Sequence, residues 1–253
     1  MLRQAAPVLY TLFVWWFSTG VILYLVGLPR RTHKWTMAGA TLLLAAALCA
    51  VARSAADPGH AAAYVGFTAA LAVWAWQEVA FLLGYVTGPR RLPCPSQAQG
   101  WERVRFALQA VLHHELALLL LGGLLVVLTW HAPNHGALVT FAILWAMRQS
   151  AKLNLFLGVR NLNERFLPAH LRYLQTYFRH RRMNGLFPWS VALATIAVAL
   201  GWQGVFEARL DEADKAAAIL AATLLSLGLL EHWFMVIPLP THALWRWSLR
   251  SRD

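Results

Sequence analysis

Seven apolar stretches recur along the chain, at about 7–28, 35–53, 62–86, 106–129, 137–159, 187–206 and 215–237. Each approaches or exceeds the ~20 residues a helix needs to cross a ~30 Å hydrocarbon core. A segment in that environment must satisfy its own backbone hydrogen bonds, which leaves helices or a closed barrel. Runs of this length are far longer than barrel strands, so the chain is expected to be an all-α membrane protein, a bundle of about seven transmembrane helices. Composition agrees: of 253 residues, 59% are hydrophobic and 13% charged, with mean hydropathy +0.50. Soluble domains run near ~45–50% apolar and ~25% charged. No internal repeat and no separate soluble domain is evident, so residues 1–253 are taken as one polytopic membrane domain. No cleavable signal peptide is expected, because the first apolar run is too long for an h-region.

The net charge of +11 does not point to nucleic acid, because it is divided among short loops. Basic residues gather after the first run (Arg30, Arg31, Lys34), the third (Arg90, Arg91, Arg103, Arg105), the fifth (Arg160, Arg165, Arg172, Arg179, Arg181, Arg182) and the seventh (Arg246, Arg250, Arg252). The alternate connections hold Arg53 with Asp57, an uncharged His131–His135 turn, and an acidic segment from Glu207 to Asp214. The positive-inside rule then places the N-terminus in the periplasm and the C-terminus in the cytoplasm. Many of the thirteen tryptophans fall near run ends (Trp35, Trp101, Trp130, Trp202, Trp245, Trp247), where amphipathic rings favour the lipid–water interface. In the longest cytoplasmic loop, Leu171, Leu174 and Phe178 recur at helical spacing among arginines, which predicts a short amphipathic helix over 168–182. It would lie in the anionic inner-leaflet interface or dock a partner.

Polar and ionisable residues interrupt four of the runs: Gln77 and Glu78; His113, His114 and Glu115; Arg148, Lys152 and Asn154; Glu231 and His232. A charge at the centre of a spanning helix costs roughly 2.5–3.5 kcal/mol on insertion scales, so these residues should face one another or a cavity. With a rise of 1.5 Å per residue, all fall in one slab roughly 8–18 Å from the cytoplasmic face. Three carboxylates and two cations at one depth predict mutual neutralisation. Arg148 and Lys152 share a helix face at i, i+4, and Asn154 and Asn161 share another with Ala151 and Gly158.

Three readings of this layer stay open. It can be a structural core of ion pairs and hydrogen bonds. It can be a di-iron or di-manganese site, with Glu78, His114, Glu115, Glu231 and His232 as ligand candidates. Di-metal bundles, however, use Glu-x-x-His spacing, whereas the pairs here are adjacent residues that point about 100° apart. It can also hold a tetrapyrrole, haem or bacteriochlorophyll, on His113, His114 or His232. Signatures of soluble enzymes (GxGxxG, P-loop, GxSxG, HExxH) are absent, and Cys49 and Cys94 form no CxxC motif.

Several stretches resemble a known family: Phe13–Gly20 with Gly27–Thr32, Trp76–Glu78 with Phe81–Gly84 and Thr87–Arg90, His114–Ala117, and most specifically Arg148–Asn161. The chain is similar, up to about Pro240, to the PuhE photosynthetic complex assembly proteins of purple phototrophic proteobacteria. The resemblance implies a bacterial inner membrane, bacteriochlorophyll, and reaction-centre or light-harvesting subunits or pigment-synthesis enzymes as partners. It carries no catalytic residue. The expectation is thus a non-enzymatic assembly or pigment-handling factor. The alternative is a metal-dependent membrane enzyme acting on a lipophilic substrate such as a bacteriochlorophyll precursor.

Overall fold

The computed structural model describes residues 2–162, 166–207 and 210–249. Arg165, Arg250 and Arg252, which entered the loop-charge argument, lie outside the described residues. The long helices are α1 (Leu2–Gly27), α2 (His33–Ala55), α3 (His60–Leu82), α4 (Gly100–Thr129), α5 (Gly136–Leu157), α6 (Phe187–Glu207) and α7 (Glu212–Phe234). No strand occurs among the described residues, only an isolated bridge between Val159 and His180. Six of these helices are long and apolar enough to cross a membrane; the exception is α5, which carries Arg148 and Lys152.

Helix α3 is the centre of the bundle. Its spanning window is 61% buried, against 11–17% for α1, α2, α4 and α6. Small residues make this possible: Ala62, Ala63, Gly66, Ala69, Ala70 and Ala80 let α2, α5 and α7 approach closely. Toward one end, Val73 and Trp74 of α3 pack with Val51, Leu118, Leu125 and Phe141. On another side, Phe67 and Leu71 meet Leu220 and Leu224 of α7. The outer faces stay apolar and exposed at Leu42, Leu120, Val127 and Leu193, as a lipid-facing surface requires. The chain is therefore a multi-pass helical membrane protein in a bilayer.

The helix ends follow local chemistry. Asp211 caps α7 by accepting from Asp214 N at 2.8 Å, with Glu212 and Asp214 in the first turn. In the uncharged turn before α5, Asn134 accepts from Gly136 N at 2.9 Å and donates to Ser54 O at 3.0 Å, tying α2 to α5. Helix α5 ends at Gly158, whose φ of 116° only glycine adopts without strain.

The opposite end departs from expectation in three ways. First, α3 stops at Leu82 rather than near residue 86, yet the chain stays inside: Thr87 is fully buried and its carbonyl accepts from His114 N at 2.9 Å. Non-helical backbone at this depth is tolerated because protein surrounds it. Second, residues Ala169–Tyr177 form a 3₁₀ helix, not an amphipathic α-helix. At three residues per turn, Leu171, Leu174 and Tyr177 stack on one face, and that face packs against Val26, Val79, Leu82 and Ala110 instead of lipid. Phe178 falls outside this stripe, which the α-helical spacing had included. Third, the segment Thr241–Trp245 with the turn Arg246–Leu249 does not end at the interface. Trp245 is buried and donates to Trp16 O at 2.9 Å, while Trp16 donates to Leu244 O at 2.9 Å. The Trp247 ring fills the space above Gly20 of α1, which explains the small residue there.

Arginine 103, expected as a loop charge, is also structural. It donates to Phe156 O at 2.9 Å and to Tyr177 O, and its guanidinium sits 3.8 Å from the Phe156 ring centroid. It thereby satisfies a carbonyl at the end of α5 and a carbonyl of the 3₁₀ segment.

Gly158→Ala is expected to destabilise the protein by about 1–3 kcal/mol through backbone strain alone. The new methyl also meets Arg179 O and Arg181 Cγ, each at 2.9 Å. A thermal melt in mild detergent should show a midpoint lowered by several degrees. Gly185→Ala, where a methyl meets nothing within 4 Å, is the control and should leave the midpoint unchanged.

Candidate functional site

Adjacent residues on a helix point about 100° apart, and each polar pair divides accordingly. On α3, Gln77 turns to α4 and Glu78 to α5. Gln77 is fully buried and its Nε2 donates to His114 O at 2.8 Å, with His114 Nδ1 at 3.2 Å. Both backbone groups of His114 are thus engaged from outside α4, by Gln77 and by Thr87. With Gln77 donating to Nδ1, the ring proton resides on Nε2. The His114 ring packs tilted against Phe81, with centroids 4.5 Å apart and planes at 47°.

Helix α5 supplies the partners for both carboxylates. Arg148 Nη2 reaches Glu78 Oε2 at 2.9 Å, and Lys152 Nζ reaches Glu115 Oε1 at 2.5 Å. The second Glu115 oxygen accepts from Gln149 Nε2 at 2.6 Å. Arg148 and Lys152 lie one turn apart, so one face of α5 clasps α3 and α4 together.

The other face of α5 carries a neutral network. His232 Nδ1 donates to Gly228 O at 2.8 Å, which leaves Nε2 to accept from Ser150 Oγ at 2.8 Å. Asn154 is buried and donates to Ser150 O at 3.0 Å and Ser190 Oγ at 2.9 Å. Asn184 donates to Asn154 Oδ1 at 3.1 Å and Gly158 O at 3.0 Å, and accepts from Phe187 N at 3.1 Å at the start of α6. Asn161 lies beyond the end of α5, so it shares no helix face with Asn154; it donates to Phe234 O at 2.9 Å and Ile237 O at 2.5 Å.

Between α1, α3, α4, α5 and α7 lies a cavity of ≈ 740 Å³, within the range of small-molecule sites. Its walls are mainly apolar and aromatic, and Glu78, Glu115, Arg148, Lys152 and Glu231 all face it. Glu231 is exposed by area because it opens into this space; its Oε1 accepts from Trp15 Nε1 at 2.9 Å, and it has no ion pair among the described residues. Phe166, Tyr177 and Trp245 close one end.

The histidines do not meet there. His113 is exposed on α4, while His114 and His232 are buried away from the cavity, the latter with both ring nitrogens bonded. A tetrapyrrole seated in the cavity would have none of the three as an axial ligand. Among the described residues no group of three or more His, Cys, Asp or Glu side chains converges as a metal site. Glu78 and Glu115 are each held by a separate cation, so a di-metal site on the five candidate residues does not fit this geometry.

Sequence reasoning missed Trp15, Thr87, Gln149, Ser150, Asn184 and Trp245. Gln149 and Ser150 were findable, since they sit at i, i+3 and i, i+4 from Lys152 and Asn154. Trp15, Thr87 and Trp245 leave no local signal, because their partners are set by tertiary packing.

Removing one member of a buried pair strands the other charge, at about 3–5 kcal/mol when both are fully buried. Arg148 keeps 40% side-chain exposure, so Arg148→Ala should destabilise by less, about 1–3 kcal/mol. The double substitution Glu78→Gln with Arg148→Met is expected to recover most of that loss. Membrane abundance and thermal midpoints of the single and double variants check this; additive losses would exclude a structural pair. His113→Ala should change neither readout.

A family model described as "Protein of unknown function (DUF3623)" matches residues 1–253. A Rhodobacter capsulatus protein, described as "Uncharacterized 30.4 kDa protein in puhA 5'region", is 44% identical over 247 residues, covering 96% of this chain and 90% of the relative. No solved structure matches the chain. With a match over residues 1–253, the chain belongs to the DUF3623 family.

Proposed function

We propose that this protein is a non-enzymatic inner-membrane factor that assists assembly of the bacterial photosynthetic complex or handles bacteriochlorophyll. The observation that carries the proposal is the 44% identical relative from the puhA region, a photosynthesis gene region. The resemblance of Arg148–Asn161 and the shorter motifs to PuhE proteins points the same way. The site geometry supports a binding factor: Glu78, Glu115, Arg148 and Lys152 are engaged in holding helices, and the cavity beside them offers binding volume. Its partners are the bilayer and, in this reading, photosynthetic complex subunits or pigment-synthesis enzymes.

The proposal includes seven spans, with α5 crossing despite its charges because Glu78 and Glu115 neutralise Arg148 and Lys152. The N-terminus is then periplasmic and the C-terminus cytoplasmic. Alkaline phosphatase fused after Asn134 should be active, and fusions after Gln97 or Gly185 inactive. The reverse pattern rejects this orientation, and activity at both Asn134 and Gly185 rejects the crossing of α5.

The assembly role is tested by purifying the protein in mild detergent from pigment-producing cells. Bacteriochlorophyll absorbance or a co-purifying photosynthetic subunit is expected. Absence of both overturns the role.

A further inference from the structure

The cavity has a composition that selects its occupant. A partly open cavity of ≈ 740 Å³ is far larger than the gaps of a close-packed interior, and in the membrane lipid or a ligand occupies it. Lipid acyl chains match the walls but not the floor. The floor holds Glu231, which faces the cavity without an ion pair among the described residues. Polar atoms facing an acyl chain lose the hydrogen bonds that water or a polar ligand would give them. The three carboxylates also outnumber the two cations facing the space, so the floor favours a donor over an acceptor.

The walls add a second requirement. Trp15, Trp74, Phe81, Phe156, Phe234 and Trp245 all line the cavity. Aromatic faces pair best with another ring system, in offset or edge-to-face contact. Glu231 already accepts from Trp15 through Oε1, and a carboxylate retains capacity for further donors on its second oxygen.

The geometry points to a binding site for one lipophilic molecule with a flat conjugated body and an O–H or N–H group that donates to Glu231. Trp15 is a positioning residue, since its indole N–H orients the carboxylate. This assignment rests on the proposed function only in taking the cavity as the working site. It is tested on the purified full-length protein, without any photosynthetic partner. Failure of pigment or subunit co-purification therefore leaves it standing, and failure of binding leaves complex association standing.

The probes are a decyl-substituted naphthol, its O-methyl ether, and dodecanol, with energy transfer from tryptophan or displacement of the naphthol as readout. The naphthol should bind about tenfold more tightly than its methyl ether, one hydrogen bond being of that order, and more tightly than dodecanol, which donates but has no ring to meet the aromatic walls. Glu231→Gln keeps an acceptor for Trp15 and should lose most of that preference, and Glu231→Leu all of it. Three results would overturn the assignment: no naphthol binding, equal binding of naphthol and methyl ether, or displacement by dodecanol or phospholipid at matching concentration. A preference that survives Glu231→Gln with the protein intact moves the donor contact off Glu231 and overturns it as well.

Discussion

The bundle depends on two ion pairs that share one helix. Glu78 and Glu115 stand on α3 and α4, and α5 brings Arg148 and Lys152 to meet them one turn apart. In water such pairs contribute little. Where no solvent competes, a missing partner becomes a stranded charge, and the pairs then dictate which helices are neighbours. The small-residue face of α3 permits close packing there, but charge neutralisation is what makes α5 the helix that packs. The neutral Ser150, Asn154 and His232 contacts on the far side of α5 fix its rotation, so one side can clasp carboxylates while the other anchors α6 and α7.

The sequence disclosed much of this, and for identifiable reasons. Hydrophobic run length located the helices, because a bilayer imposes one length on all of them. The energetic penalty on buried charge singled out Glu78, Glu115, Arg148 and Lys152 before any geometry was known, and rise arithmetic put them at one depth. Pairing was beyond reach, since it depends on which faces of α3, α4 and α5 meet. His113 illustrates the limit: it follows the same rule as His114 by sequence position, yet the 100° step between neighbours leaves it outside the bundle. The 3₁₀ segment shows a different one. Leu171 and Leu174 fit both a 3.0 and a 3.6 period, and only burial of Tyr177 rather than Phe178 distinguishes them.

The chain segments at the end carrying most basic loops do more than connect helices. Thr87 reaches into α4 at His114, the 3₁₀ helix covers the ends of α3 and α4, and Trp245 comes to rest beside Trp15 near the middle of α1. Arg103 holds Phe156 and Tyr177 together beneath them. These segments close one end of the cavity, where Leu174, Tyr177 and Trp245 line it. In the proposed topology the same basic loops also face the cytoplasmic leaflet, so their arginines divide between structural carbonyl contacts and the membrane surface.

The clasp on α5 has a consequence for biogenesis. Helix α5 is the one long helix here that falls short of the apolarity needed to cross a membrane unaided. Its acidic partners precede it in the chain, on α3 and α4, so in the proposed topology they already reside in the bilayer when α5 leaves the ribosome. The order of synthesis therefore supplies a counter-charge for each cation as it arrives. The same helices in another sequence order would have to hold Arg148 and Lys152 in lipid until their partners appeared.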